Sequence, residues 1–114
     1  MSRINPDWEV SVTDVKGMLD RSDDFFLLDV RQPEEHAICN LPGAHLLPLP
    51  DLPNRLDEIR DMADGRPIVA HCHHGGRSLN AAALLRQAGI MQVKSMAGGI
   101  DAWSLTVDSS VPRY

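Results

Sequence analysis

The sequence predicts an α/β fold: one three-layer domain whose central, mostly parallel sheet of four or five strands is flanked by helices. Two observations carry this. The apolar runs over residues 25–30 and 67–70 lack the alternation of a half-exposed strand, so they read as strands covered on both faces. Stretches of helical periodicity separate such runs, and strands alternating with helices imply parallel pairing through right-handed crossovers. The 114 residues suit a single compact domain over 1–114.

The elements follow in order. Ser11 with Asp14 three residues later has the form of a capping box, and Val12, Val15, Met18 and Leu19 recur at helical spacing behind it. Residues 20–24 end that helix, and 25–30 form a strand with one acid, Asp29, near its end. Pro33, Glu34 and Glu35 open a short helix over 33–36, since proline suits a first turn and acids favour the positive end of the helix dipole. Leu41-Pro42-Gly43-Ala44 is a turn, and 45–49 is a short strand closed off by Pro48 and Pro50. Asp51 is placed to cap a second long helix, with Leu52, Leu56, Ile59 and Met62 as its apolar face and Gly65 as its stop. Residues 66–72 form the third strand, 78–88 the third long helix, and 91–96 the fourth strand. Ala97-Gly98-Gly99 is a turn, and 100–103 begin a last short helix. The tail over 104–114 is polar, contains Pro112 and shows no period.

Composition narrows the function. Apolar residues make up 43% and charged residues 24%, as in ordinary globular proteins. The net charge of -5 is spread among interspersed acids and bases, and without a basic stripe nucleic acid is not the expected partner. No apolar run approaches the roughly 18 residues of a membrane helix. Residues 1–8 lack the charged-then-apolar pattern of a leader, so the expected location is the cytoplasm, with no membrane partner. The two cysteines, Cys39 and Cys72, do not read as a disulfide scaffold. One functional thiol and one packing thiol is the simpler reading.

The functional thiol is Cys72. The run His71-Cys72-His73-His74-Gly75-Gly76-Arg77-Ser78 lies between a strand and a helix, so the cysteine sits at a helix start, where backbone amides stabilise an anion. Gly75 and Gly76 carry no side chain to block an approaching group, Arg77 adds a cation, and His73 and His74 add charge or hydrogen bonds. A buried core thiol is the bland reading, but a core position is rarely followed by two histidines, two glycines and an arginine. A zinc site is disfavoured because His71, Cys72, His73 and His74 are adjacent and no second ligand pair exists. No metal and no cofactor are therefore expected. Phosphatase or arsenate reductase chemistry uses five residues between cysteine and arginine. Here only four separate Cys72 from Arg77, a tighter loop that suits a single sulfur better than a phosphate.

Other polar residues take quieter roles. Asp29 and Arg31 lie near a strand end and are expected to support the site, with Arg31 expected to pair with Glu34 or Glu35. His71 is expected to be a hydrogen-bonded core histidine, and His36 and His45 to be structural or exposed. Trp103 is expected to anchor the last helix, and Asp101 to approach the loop through the preceding turn.

With these residues in view, the chain resembles the rhodanese-like family of sulfurtransferases. Leu27-Leu28-Asp29-Val30-Arg31 with Glu34-Glu35 resembles the family's first signature, and Leu41-Pro42-Gly43-Ala44 the turn after it. Cys72 through Arg77 has the length of its six-residue active loop, and Gly98-Gly99 with Ala102-Trp103 resembles its C-terminal signature. Val111-Pro112-Arg113-Tyr114 is similar to the end of rhodanese domains fused to sulfur-carrier adenylyltransferases. The chain departs from the family at Cys39-Asn40, where many members carry Gly-His. The resemblance implies that Cys72 takes the outer sulfur of a small anionic donor such as thiosulfate and passes it to cyanide, a thiol or a carrier protein. His73, His74, Gly75, Gly76, Arg77 and Ser78 would cradle the persulfide. The alternatives are an arsenate reductase or phosphatase-like cysteine enzyme, and a non-catalytic binding module. Cys39 carries a minor redox alternative, as a thiol that resolves the Cys72 persulfide.

Overall fold

A computed structural model describes residues 6–114, so part of the stretch read above for a leader lies outside the described residues. Five parallel strands form one sheet in the order β1-β5-β4-β2-β3: β1 Glu9–Val10, β2 Phe26–Asp29, β3 His45–Leu46, β4 Ile68–His71 and β5 Val93–Met96. Among the described residues five α-helices accompany them, α1 Val12–Asp20, α2 Pro33–Ile38, α3 Leu56–Ala63, α4 Gly76–Gln87 and α5 Gly99–Thr106, together with two short 3-10 helices, Pro6–Trp8 and Leu49–Asn54.

Alternation along the strands divides the core into two. Leu28, Val30, Ile68, Ala70, Cys72 and Val93 turn to one face, where Ile59 and Ala63 of α3 and Ala81, Ala82 and Leu85 of α4 cover them. Leu27, Val69 and Met96 turn to the other, against Val12 and Val15 of α1 and Ile100 and Trp103 of α5. Because β2 and β4 are buried at every position, the continuous apolar runs in the sequence report this double coverage.

Several elements differ from expectation. Strand β1 is only two residues long and had no run to announce it. At α1, Ser11 Oγ accepts the Asp14 N–H at 3.0 Å, the N-cap half of the expected box. Asp51 does not cap a long helix. Residues Leu49–Asn54 form a 3-10 helix, and α3 starts separately after Arg55, whose ψ of 22° breaks the path. Leu52 and Pro53 both lie within the 3-10 turn, and the chain leaves the helical path at Arg55, whose φ of -127° lies outside the helical region, so the turn and α3 cannot run on as one α-helix. Helix α4 begins at Gly76, two residues before the expected start, which draws the helix N-terminus up to the cysteine loop.

Candidate active site

Cys72 follows the last residue of β4, at the carboxyl end of the parallel sheet, where ligands of such folds bind. Its residue is 1% exposed. The Gly75 and Ser78 amides both donate to Cys72 Sγ, at 3.1 and 3.3 Å. Two N–H dipoles at a helix start therefore point at the sulfur and favour negative charge on it. The thiol itself donates to Ser78 Oγ at 3.5 Å.

The loop keeps this shape for two reasons. Gly75 has φ +107°, a backbone conformation that side chains rarely adopt, and a Cβ there would lie 3.1 Å from Gly98 N. Helix α5 then grips the loop by its carbonyls. The Ile100 amide donates to Cys72 O at 2.9 Å and the Asp101 amide to His73 O at 3.0 Å. This close approach explains Gly98-Gly99: a Cβ on Gly99 would sit 2.4 Å from His73 O and 2.5 Å from Cys72 O. At Gly76 a methyl group would meet nothing within 4 Å, so space beside the loop stays open.

The charged residues pair differently from the sequence expectation. Arg31 and Asp29 are fully buried and bind each other through two contacts, Nε to Oδ1 at 2.9 Å and Nη2 to Oδ2 at 2.8 Å. The expected partner of Arg31, Glu35, instead binds Arg77 through two contacts of 2.6 and 2.8 Å. Full burial leaves Arg31 needing an acceptor for each N–H, and it also donates to Cys39 O at 2.6 Å and Glu35 O at 3.3 Å. Burial pushes the Asp29 carboxyl up, yet the hydrogen bonds from Arg31 and His36 more than offset this and hold it below its usual range. The Arg77 hydrogen bonds hold Glu35 down at about 2. Asp29 and Arg31 thus fix α2 and the following turn to the end of β2.

The histidines separate. His71 is fully buried, but it is not the hydrogen-bonded core residue expected from sequence: neither ring nitrogen has a hydrogen-bond partner among the described residues. Asp29 Oδ2 lies 4.0 Å from its Nε2, and burial pushes it down to about 4, so it is neutral near pH 7. Burial likewise lowers His73. His74 is largely exposed, 3.8 Å from Asp101, which also pairs with Arg113. His36 has the partner its sequence context hid, Asp29 at 2.8 Å, whereas His45 is exposed.

Two participants were missed. Ser95 on β5 is fully buried, with Oγ 2.6 Å from Ser78 Oγ. Its signal was a lone serine sharing the inward alternation of Val93. Tyr114 stacks on His73 with centroids 3.9 Å apart and planes 11° from parallel. Its hydroxyl donates to Glu35 at 2.8 Å and accepts from Arg31 at 3.1 Å. Cys39 belongs to the core on the opposite face of the sheet from Cys72.

A parallel α/β sheet presenting a cysteine in a six-residue loop at a helix N-terminus defines a class of cysteine-loop domains. The chain belongs to one family of that class: the Rhodanese-like domain profile matches residues 11–106. It is similar to the Rhodanese-like/PpiC domain-containing protein 12, chloroplastic, of Arabidopsis thaliana, at 37% identity over 81% of this chain and 31% of that one. It is 35% identical to a Sulfurtransferase of Allochromatium vinosum, covering 84% of this chain and 87% of that protein. With Adenylyltransferase and sulfurtransferase MOCS3 of Bos taurus it shares 32% identity over 97% of this chain and 28% of the relative. The chain thus spans less than a third of several curated relatives. Among solved structures, the Human Single Domain Sulfurtransferase TSTD1 superposes with a TM-score of 0.73 at 27% identity, over 87% of this chain and 96% of that one.

Proposed function

We propose that residues 1–114 act as one sulfurtransferase domain that carries sulfane sulfur on Cys72. The observation that supports this most is the pair of amides, Gly75 N and Ser78 N, aimed at a sulfur in a loop with four residues before its arginine. In the first half-reaction the Cys72 thiolate attacks the outer sulfur of thiosulfate. A new S–S bond forms, the old one breaks, and its electron pair leaves with sulfite. In the second, an acceptor such as cyanide, a thiol or a carrier protein bonds to the terminal sulfur. The persulfide bond breaks and its electron pair returns to Cys72. No external oxidant or reductant is needed.

His73, His74, Gly75, Gly76, Arg77 and Ser78 form the cradle in this reading. Arg77, tied to Glu35, shapes the loop. The likeness to MOCS3 proteins supports a sulfur carrier protein as one acceptor. Two unpaired thiols suit a reducing compartment such as the cytoplasm, and among the described residues no helix is long and apolar enough to cross a membrane. Mass spectrometry after incubation with thiosulfate tests the proposal. The expected result is one added sulfur atom on wild type and none on Cys72→Ser. No gain by wild type, or an equal gain by the variant, overturns it.

A further inference from the structure

We infer that Ser95, a strand residue 23 positions from the cysteine, is a positioning residue that lends Ser78 the hydrogen bond it needs to donate to an ionised Cys72. The inference rests on the reading of Cys72 as the reactive sulfur.

Ser78 and Ser95 are both fully buried, so their hydroxyls have only each other and their immediate neighbours. While Cys72 is a thiol, its S–H points at Ser78 Oγ, and the single Ser78 hydroxyl hydrogen goes to Gly75 O at 3.1 Å. When the thiol ionises, that arrangement fails, because the sulfur no longer donates and requires donors. Ser78 can turn its hydrogen to the sulfur 3.5 Å away without stranding Gly75 O, which also accepts the Leu79 amide at 3.0 Å. Ser78 Oγ then has no donor of its own except Ser95, whose Oγ lies 2.6 Å away. With Ser95 donating, the chain runs Ser95 to Ser78 to sulfur, and each hydroxyl in the chain strengthens the next.

The two hydroxyls therefore turn in concert with the charge on sulfur and add a third donor to the two fixed amides. Ser95 reaches this place because β5 alternates. It shares the face of Val93, on the side of the sheet that holds Ala70 and Cys72, and it sits directly across from Ala70 in the register. Its Oγ also reaches Gly75 O, though at 3.5 Å this contact is the longer of the two. Among the described residues no hydrogen bond joins Ser95 to the sulfur, so its influence passes through Ser78.

The test is the rate at which iodoacetamide alkylates Cys72, read by peptide mass spectrometry to exclude Cys39. This readout needs no sulfur transfer, so it stands or falls separately from the sulfurtransferase proposal. At pH 7, Ser95→Ala is expected to slow alkylation by about threefold, the worth of one modest hydrogen bond. Ser78→Ala is expected to slow it at least as much, and the double variant no further than Ser78→Ala alone. At pH 10, where an ordinary thiol is ionised without help, all four proteins should react alike. A misplaced loop would instead slow the reaction at both pH values. If Ser95→Ala does not fold, Ser95→Thr and Ser95→Val carry the comparison, being alike in shape and differing by the hydroxyl. Thr should then match wild type and Val should be slow. Equal rates for wild type and Ser95→Ala (or for the Thr and Val variants), additive effects of the two serines, or a loss that persists at pH 10 overturn the inference.

Discussion

Arg77 and Glu35 meet through two parallel hydrogen bonds of 2.6 and 2.8 Å, so the cation that closes the cysteine loop is already matched by a carboxylate from α2. A guanidinium held this way has little charge left to attract an incoming anion, and its main effect is geometric. Arg77→Ala is therefore expected to lower kcat/KM for thiosulfate and for a neutral organic persulfide by similar factors, about tenfold each, through loss of loop position. Steady-state kinetics with both donors checks this. A loss confined to thiosulfate would restore the anion-capture role that the isolated sequence suggests.

His71 sets an acid limit to stability. Its folded pKa of about 4 lies below its ordinary 6.5, because burial penalises the charged ring. The unfolded chain thus binds a proton that the folded chain refuses. The stability this neutral residue contributes is complete above pH 6.5 and is lost as pH falls from 6.5 through about 4. At about 1.4 kcal/mol per pH unit the loss approaches about 3 kcal/mol over that window. Urea unfolding at pH 7 and pH 4.5 measures it. His71→Phe, with no titrating ring, should show most of this window flattened. An equal fall in both proteins would assign the acid sensitivity elsewhere.

Gly99 makes a sharper structural prediction. A methyl there meets two loop carbonyls at 2.4 and 2.5 Å on a backbone with φ +63°. Neither carbonyl can retreat easily, since each accepts an α5 amide. Gly99→Ala should cost about 3 kcal/mol or more and remove most sulfur transfer. Gly43→Ala is the control. Its φ of +80° is as unfavourable, but nothing lies within 4 Å of the new methyl, so it should cost only about 1–2 kcal/mol and leave transfer intact. Similar activity losses in both variants would refute the role given to the grip of α5.

Much of this was legible from sequence, and the reasons divide cleanly. The buried strands β2 and β4 declare themselves as apolar runs because both their faces are covered, and the cysteine loop declares itself by local spacing. What escaped depends on contacts between distant residues. Nothing local tells Glu35 to choose Arg77, 42 residues away, over Arg31. Ser95 looks like any polar residue in a short strand until the sheet register sets it beside Ser78. The break before α3 falls at Arg55, a residue type that carries no turn signal of its own, so the run of apolar positions from Leu52 to Met62 hid it.

Tyr114 offers a prediction with an unusually clean readout, because it is the single tyrosine of the chain. Burial raises its phenol, and although the hydrogen bond from Arg31 pulls the other way, Glu35 adds to the rise and the pKa reaches about 12. The hydroxyl therefore stays protonated across the neutral range, which it must in order to donate to Glu35 at 2.8 Å. Ultraviolet difference titration of the native protein should place phenolate formation near pH 12, against about 10 in urea. Glu35→Gln removes the carboxylate that opposes ionisation, so the native midpoint should move down toward 10. A native midpoint already at 10, unmoved by Glu35→Gln, would mean that the tail does not hold Tyr114 between His73, Arg31 and Glu35 in solution.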